Sequence, residues 1–272
     1  MKIKGKVAVV TGASGGIGRA VCEEFINRGA AHVALVDLDD GVVDVADQLN
    51  RAAGQGIAKA YQGNTTDADF RTAVYDEICG RFGQVNICVP AAGIVRDALA
   101  VKMNKVTGKA NVYPEETFRL VTEVNYIAPI YWAMEMIARV VESRSKRGLK
   151  KWDPTEDMEG AVIFIGSVAS QGNKGQISYA STKAALEGAA STLMKEAIFH
   201  GVRCSIIHPG FTDTPILQAM GEEYIAKYVL PDTQLGRLIR PEEIADAICF
   251  MITNQAVSGQ IWADAGWHPA AA

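Results

Sequence analysis

The chain has 272 residues, nearly half of them hydrophobic (49%), and a formal net charge of −4. That length suits one large α/β domain or two small ones, and the negative balance is the wrong field for a nucleic-acid backbone as partner. No stretch reaches the ~20 apolar residues of a membrane span, and the opening MKIKGKVAVVTG is too short an apolar run for a secretory leader.

Five cysteines (Cys22, Cys79, Cys88, Cys204, Cys249) are scattered without a CxxC pair, as expected of reduced thiols filling the core of a cytoplasmic protein. Only four histidines occur, none in an i,i+4 pair, so no metal site is expected. These traits favour a soluble enzyme acting on small molecules.

In chain order, strands are expected at Val7–Thr11, His32–Asp37 and Ile57–Gln62, followed in turn by helices at Ile17–Arg28, Val42–Ala53 and Asp67–Arg81. A strand at Val85–Ala91 and a long helix at Pro114–Ser143 come next, then a strand at Ala161–Ser167 and a helix at Tyr179–His200. The chain closes with a strand at Val202–His208, a helix at Pro241–Thr253 and a strand at Gln260–Ala263. Runs such as VAVV, AVIFI and CSII are nearly continuous in apolar residues, the mark of strands buried on both faces. Strict alternation implies right-handed βαβ units. The expected fold is a single-domain, Rossmann-type doubly wound parallel sheet of about seven strands over residues 1–272, with no linker dividing it.

Two segments interrupt this rhythm. Glu142–Glu159 is crowded with charges of both signs and reads as a solvated loop at the sheet edge away from the ligand crevice. Ile94–Tyr113 follows a strand instead, and so falls on the carboxyl edge where such sheets bind ligands. It reads as the border of a substrate entrance or as a mobile surface loop.

The first strand runs into Thr11-Gly12-Ala13-Ser14-Gly15-Gly16-Ile17-Gly18, and a helix follows. Glycine lets the backbone turn tightly and approach a diphosphate, while the helix start offers free N–H groups and positive dipole. The spacing G-x-x-x-G-x-G departs from G-x-G-x-x-G, so position after a strand and before a helix carries the reading. Asp37 ends the second strand, nineteen residues after Gly18. A carboxylate there accepts bonds from both hydroxyls of an adenosine ribose and repels a 2′-phosphate. No Arg or Lys precedes Gly16 in the cradle, so NAD is expected rather than NADP; a plain turn residue is the competing reading of Asp37.

The densest signal is Gly166-Ser167-Val168-Ala169-Ser170 followed by Ser178-Tyr179-Ala180-Ser181-Thr182-Lys183. Tyr179 and Lys183 share one helix face. A neighbouring ammonium is expected to pull the phenol below its ordinary pKa of about 10, which suits a proton exchanger for an alcohol or carbonyl oxygen. Ser167 is placed to hydrogen-bond the same oxygen. An amphipathic helix with a surface tyrosine and lysine is the competing reading.

Together these motifs resemble the short-chain dehydrogenase/reductase family over nearly the whole chain. The family's TGxxx[AG]xG loop matches Thr11–Gly18, its YxxxK matches Tyr179–Lys183, its serine matches Ser167 and its helix asparagine matches Asn125. Its P-G-x-x-x-T segment matches Pro209–Thr214, and SGQIWADAG resembles its carboxyl-terminal signature. The resemblance implies Tyr179 as acid/base, Lys183 as the group that lowers its pKa and holds the nicotinamide ribose, Ser167 as orienter, and Asn125 as keeper of a water-linked proton path. It implies cofactor contacts at Gly12, Ser14, Gly16, Ile17, Gly18, Asp37 and Leu38. Asn64 and Thr65 would meet the adenine, Ala92 and Gly93 the ribose, and Pro209, Phe211, Thr212 and Thr214 the carboxamide region.

The match departs in places. The family's NNAG is Pro90-Ala91-Ala92-Gly93, which loses both amides and puts a proline in a central strand. Ser167 precedes Tyr179 by twelve residues, one fewer than in familiar members, with the Gln171–Gly175 turn expected to absorb the difference. Ser170 is a weaker rival for Ser167, and His208, where asparagine is frequent, reads as structural.

Substrate contacts are expected from Ile94–Tyr113, Gln171–Ser178 and a lid over about residues 211–240 bearing Ile216, Leu217, Met220, Tyr224, Tyr228, Val229 and Leu230. The expected activity is hydride transfer between nicotinamide and a secondary alcohol or ketone. GSVASQGNKGQISYASTK also resembles bacterial 3-oxoacyl-(acyl-carrier-protein) reductases, although Asp37 counts against those NADPH-preferring enzymes. A dinucleotide-sensing regulator without chemistry is a third reading, and a Ser-His-Asp hydrolase is disfavoured because the G-x-S-x-G elbow is missing. The resemblance implies a homotetramer or dimer packed through the helices of Asn125 and Tyr179.

Overall fold

Strand β1 (Val7–Thr11) is buried along its whole length, and its side chains alternate between two cores. Ala8 and Val10 face one core, while Val7 and Val9 face the other. This alternation within a continuous apolar run is what a strand covered on both faces requires. In a computed structural model, which describes residues 1–265, the same logic repeats across the sheet. Beside β1 lie β2 (His32–Asp37), β3 (Ala58–Gln62) and β4 (Ile87–Pro90).

A small antiparallel hairpin follows, made of β5 (Val101–Met103) and β6 (Ala110–Val112). The main sheet is completed by β7 (Gly160–Ile165), β8 (Val202–Pro209) and β9 (Gly259–Ala263). Its order is β3-β2-β1-β4-β7-β8-β9, with every pairing parallel. Order reverses between β1 and β4, which opens the ligand crevice of such sheets at their carboxyl ends. This is the expected Rossmann-type fold.

Helices α1 (Gly16–Asn27) and α2 (Gly41–Ala53) cover one face, and α3 (Ala68–Phe82) the other. The long helix expected from Pro114 to Ser143 is divided. It runs as α4 (Glu115–Thr122), a π-helical turn over Glu123–Ile127, and α5 (Ala128–Lys146). Pro129 has no N–H for the carbonyl of Asn125 one turn earlier, so the helix widens there. Asn125 sits inside that turn, fully buried.

Helix α6 (Ile177–Ala197) carries Tyr179 and Lys183. Two short helices, α7 (Pro215–Gln218) and α8 (Glu222–Tyr224), precede α9 (Pro241–Thr253), which packs on α1. Among the described residues no helix is long and apolar enough to cross a membrane. Gly266, the end of the carboxyl-terminal signature, lies outside the described residues.

The charged segment between α5 and β7 is not simply solvated. Arg144 is buried, and its guanidinium holds Glu156 at 2.7 Å, Glu159 at 3.0 Å and the Lys150 carbonyl at 3.2 Å. Trp152 closes over Gly201, where a Cβ would come within 2.6 Å of the indole. Mixed charge in sequence here encodes a staple rather than a loose loop.

Candidate active site

The glycine loop between β1 and α1 brings three backbone segments together. A Cβ on Gly12 would lie 2.7 Å from the Ala92 nitrogen, and one on Gly18 would lie 2.1 Å from the Gly12 carbonyl oxygen. Gly12 also has φ +68, a conformation that favours glycine. Gly16 faces Thr214, whose methyl would be 3.1 Å from an added Cβ. The first-turn N–H groups of Gly16, Ile17 and Gly18 have no partner within the helix. A close-packed, side-chain-free cradle ending on a helix start fits the diphosphate of a dinucleotide.

Asp37 closes this cradle. One carboxylate oxygen accepts the Ser14 N–H at 2.9 Å, and the other accepts the Asp39 N–H at 3.1 Å. Its turn-capping role is therefore present, and each oxygen keeps a lone pair for a ribose hydroxyl. Leu38 beside it is exposed.

Pro90 does sit in the sheet, paired with Thr11 of β1. The Thr11 carbonyl accepts the ladder bond of this pair from the Ala91 N–H, at 3.2 Å, so the proline costs β1 no donor. Thr11 Oγ1 accepts the following Ala92 N–H at 3.1 Å. The segment that lost the family's two amides is thus braced from the opposite strand. Sequence reasoning foresaw the loss but missed Thr11 as the replacement.

At the centre, Tyr179 is half-buried and Lys183 is buried. Lys183 Nζ lies 5.5 Å from the centre of the Tyr179 ring and donates to the Ile165 carbonyl at 2.8 Å. Asn125 accepts the Ile94 N–H and donates to the Ile94 carbonyl, both at 2.8 Å. That pair of hydrogen bonds fixes Gly93, whose Cβ position would be 3.4 Å from Asn125 Oδ1 and 4.0 Å from Lys183 Nζ. Ser167 starts a 3₁₀ turn over Val168–Gln171, and its Oγ accepts the Ala169 N–H at 3.1 Å. Its side chain also lies close enough to Tyr179 to favour the ionised phenol. The twelve-residue spacing therefore still delivers the two hydroxyls to one point. Ser170 turns toward Gln171 instead.

The expected direction of the Tyr179 shift is corrected. Burial raises the phenol above its ordinary value, the Ser167 side chain pulls it back, and the Asp97 charge raises it further. Lys183 is itself the perturbed cation: burial lowers it to about 8. Desolvation outweighs attraction here because the ammonium bonds a carbonyl rather than the phenol.

Asn64 turns its side chain onto Thr66, while Thr65 is buried and its carbonyl accepts from the Trp132 indole at 2.9 Å. Pro209 ends β8 and Thr212 is buried. Thr214 caps α7. The lid region sorts its apolar residues into two sets. Leu217, Ile225 and Val229 pack inward with Phe211, Leu230 and Leu238, whereas Ile216, Met220, Tyr224 and Tyr228 are exposed.

Two groups near the cluster, Tyr113 and Asp97, escaped the sequence reading, because their roles depend on contacts distant in sequence. Tyr113 Oη donates to the Arg96 carbonyl at 2.6 Å and meets Ser178 Oγ at 3.0 Å. Asp97 accepts from Gln176 Nε2 at 2.9 Å, beside a bridge between Ala98 and Gln176. These contacts tie both ends of the Ile94–Tyr113 segment to the residues just before Tyr179. His208, stacked on Trp262 at 4.2 Å, accepts the Ser167 N–H at 3.3 Å.

Comparison with known proteins agrees with this geometry. The family model described as short chain dehydrogenase matches residues 6–225. The chain is 32% identical over 257 residues to 3-oxoacyl-(acyl-carrier-protein) reductase FabG of Escherichia coli strain K12, covering 94% of this chain and 93% of that one. It is 30% identical over 268 residues to the Thermotoga maritima protein of the same name, covering 96% of each. A short-chain type dehydrogenase/reductase from Mycobacterium marinum superposes with a TM-score of 0.81 at 25% identity, over 98% of this chain and 96% of that one. The chain belongs to the short-chain dehydrogenase/reductase family and is an oxidoreductase.

Proposed function

We propose that the protein is an NAD-dependent oxidoreductase that moves a hydride between nicotinamide and a secondary alcohol or ketone, with Tyr179 as acid/base. The observation that carries this reading is the meeting of the Ser167 and Tyr179 hydroxyls beside the buried Lys183. When bound, the nicotinamide supplies or accepts the hydride. In reduction, Ser167 Oγ holds the substrate oxygen while Tyr179 Oη gives it a proton. Oxidation reverses the transfer, and Tyr179 takes the alcohol proton. Lys183, with a pKa of about 8, exchanges protons near neutral pH and restores the phenol. Asn125 is a positioning residue that fixes Ile94 and Gly93 against Lys183.

Preference for NAD rests on Asp37, an anion at the cradle with Ser14 bound to it. A 2′-phosphate there would meet like charge. The relatives' printed activity favours a second reading, reduction of a 3-oxoacyl thioester. Comparing NADH with NADPH, on simple ketones and on a 3-oxoacyl thioester, separates the two readings. A dimer or tetramer packed through α4, α5 and α6 is part of the proposal, since Leu120, Tyr131, Met134 and Ile177 are exposed along them.

The test is a panel of alcohols and ketones with NAD(H), followed at the nicotinamide absorbance, with Tyr179→Phe alongside. Turnover by the natural chain and its loss by at least about a thousandfold in the variant are expected, with NADH binding retained. Full activity in the variant would remove this mechanism, and silence across the panel would leave the regulator reading.

A further inference from the structure

The mouth of the site carries one charge that the proposed chemistry does not use. Asp97 leaves the carboxyl edge of β4 four residues after Gly93 and lies against the turn that precedes Tyr179. The Ala98 N–H donates to the Gly175 carbonyl at 2.9 Å, and Ala98 bridges Gln176. Asp97 itself accepts from Gln176 Nε2 at 2.9 Å. Gln176 is in turn the N-cap residue of α6, and its carbonyl accepts the Ala180 N–H at 2.7 Å. The carboxylate is therefore tied to the first turn of the helix that bears Tyr179.

Among the described residues, no Lys or Arg side chain forms an ion pair with Asp97. Its neighbour Arg96 turns away to the Val95 carbonyl at 2.8 Å. A carboxylate held in place without an ion-pair partner repels anions that must pass or settle beside it.

We infer that Asp97 is a specificity-determining residue that disfavours substrates bearing a carboxylate near the reacting carbon and admits neutral ketones, esters and thioesters. The inference rests on the hydride-transfer reading above. It extends that reading from a reaction type to a class of substrate.

A matched pair tests it: a 3-oxo acid and its methyl ester, each reduced with NADH by the natural chain and by Asp97→Asn. Asparagine keeps an acceptor for Gln176 and removes only the charge. The acid-to-ester ratio of kcat/KM is expected to rise about fivefold in the variant, the scale of one partly exposed charge pair, because any change in the Tyr179 phenol is shared by both compounds and cancels in the ratio. Asp97→Glu is expected to keep the natural discrimination. An unchanged acid-to-ester ratio in Asp97→Asn would overturn the inference.

If the natural chain turns over neither compound, that failure counts against the hydride-transfer reading. Selectivity is then read from displacement of the same two compounds against the fluorescence of enzyme-bound NADH. A ratio that Asp97→Asn does not move there, or no binding of either compound, would overturn it equally.

Discussion

On the cradle side of the cleft, backbone packs on backbone: Gly12 against Ala92, and Gly18 against the Gly12 carbonyl. On the entrance side, the chain is held by side-chain hydroxyls, one carboxylate and one amide, through Tyr113, Ser178, Asp97 and Gln176. The hairpin of β5 and β6 is exposed on both faces, with Val101 and Met103 each 60% accessible and Val112 74%. An isolated two-stranded hairpin is marginal by itself. At Gly12 and Gly18 the cradle therefore has no room for an added atom, whereas the exposed hairpin has space around its side chains. Such a division lets one rigid half serve many substrates.

The largest effect should come from adding one methyl to the cradle. Gly18→Ala would place a carbon 2.1 Å from the Gly12 carbonyl oxygen, and both atoms belong to fixed backbone. A loss of about 3 kcal/mol is expected, read as a denaturant midpoint, together with loss of NADH binding in a fluorescence titration. By contrast Val106→Ala, at the 95% exposed hairpin tip, should stay within about 0.5 kcal/mol. Equal effects in the two variants would erase the distinction between the halves.

Sequence legibility follows the same division. Strands β1 and β8 were readable because burial on both faces leaves a continuous apolar run, and the cradle because its glycines fall between a strand and a helix. Tyr179 and Lys183 were readable from spacing on one helix face. The hairpin was not, since its strands are three residues long and show no alternation. Nor was the sign of the Tyr179 shift, because burial is a property of the assembled fold. Arg144 misled the reading for the same reason: its partners Glu156 and Glu159 look like surface charge until the chain folds back on them. Thr11 became visible as a brace only when Ala91 and Ala92 were seen opposite it.

Lys183 stands where the two halves meet, and it is costly to the free protein. Its folded pKa of about 8 lies below the ordinary lysine value of 10.5. Between those pH values the unfolded chain binds more protons, so the lysine's contribution to stability rises as pH climbs from 8 toward 10.5. Lys183→Met should therefore stabilise the protein at pH 7 by about 2 kcal/mol while removing activity. The gap to the natural chain should shrink as the pH is raised through that window. Urea melts at several pH values check it, and a variant less stable at every pH would show that the bond to the Ile165 carbonyl outweighs the desolvation.

A smaller change is expected at Asp37, on the cradle side. Asp37→Ala removes the acceptor of the Ser14 N–H and the charge that would oppose a 2′-phosphate. The ratio of kcat/KM for NAD over NADP should fall about tenfold, with ketone KM unchanged. An unmodified chain that already prefers NADP would defeat the argument from Asp37.

The smallest effect should be the most local. Tyr113→Phe deletes the donor to the Arg96 carbonyl and the contact with Ser178 Oγ, while keeping the ring. Arg96 is exposed, so water replaces that bond, and the midpoint should fall by about 1 kcal/mol or less. Ser178 is buried beside Tyr179, however, so the entrance should loosen where substrate passes. KM for a ketone is then expected to rise a few-fold, with KM for NADH and the Tyr179 pH profile unmoved. If KM for NADH shifts by the same factor, the Ile94–Tyr113 segment is mechanically continuous with the cradle. The two halves would then have to be treated as one.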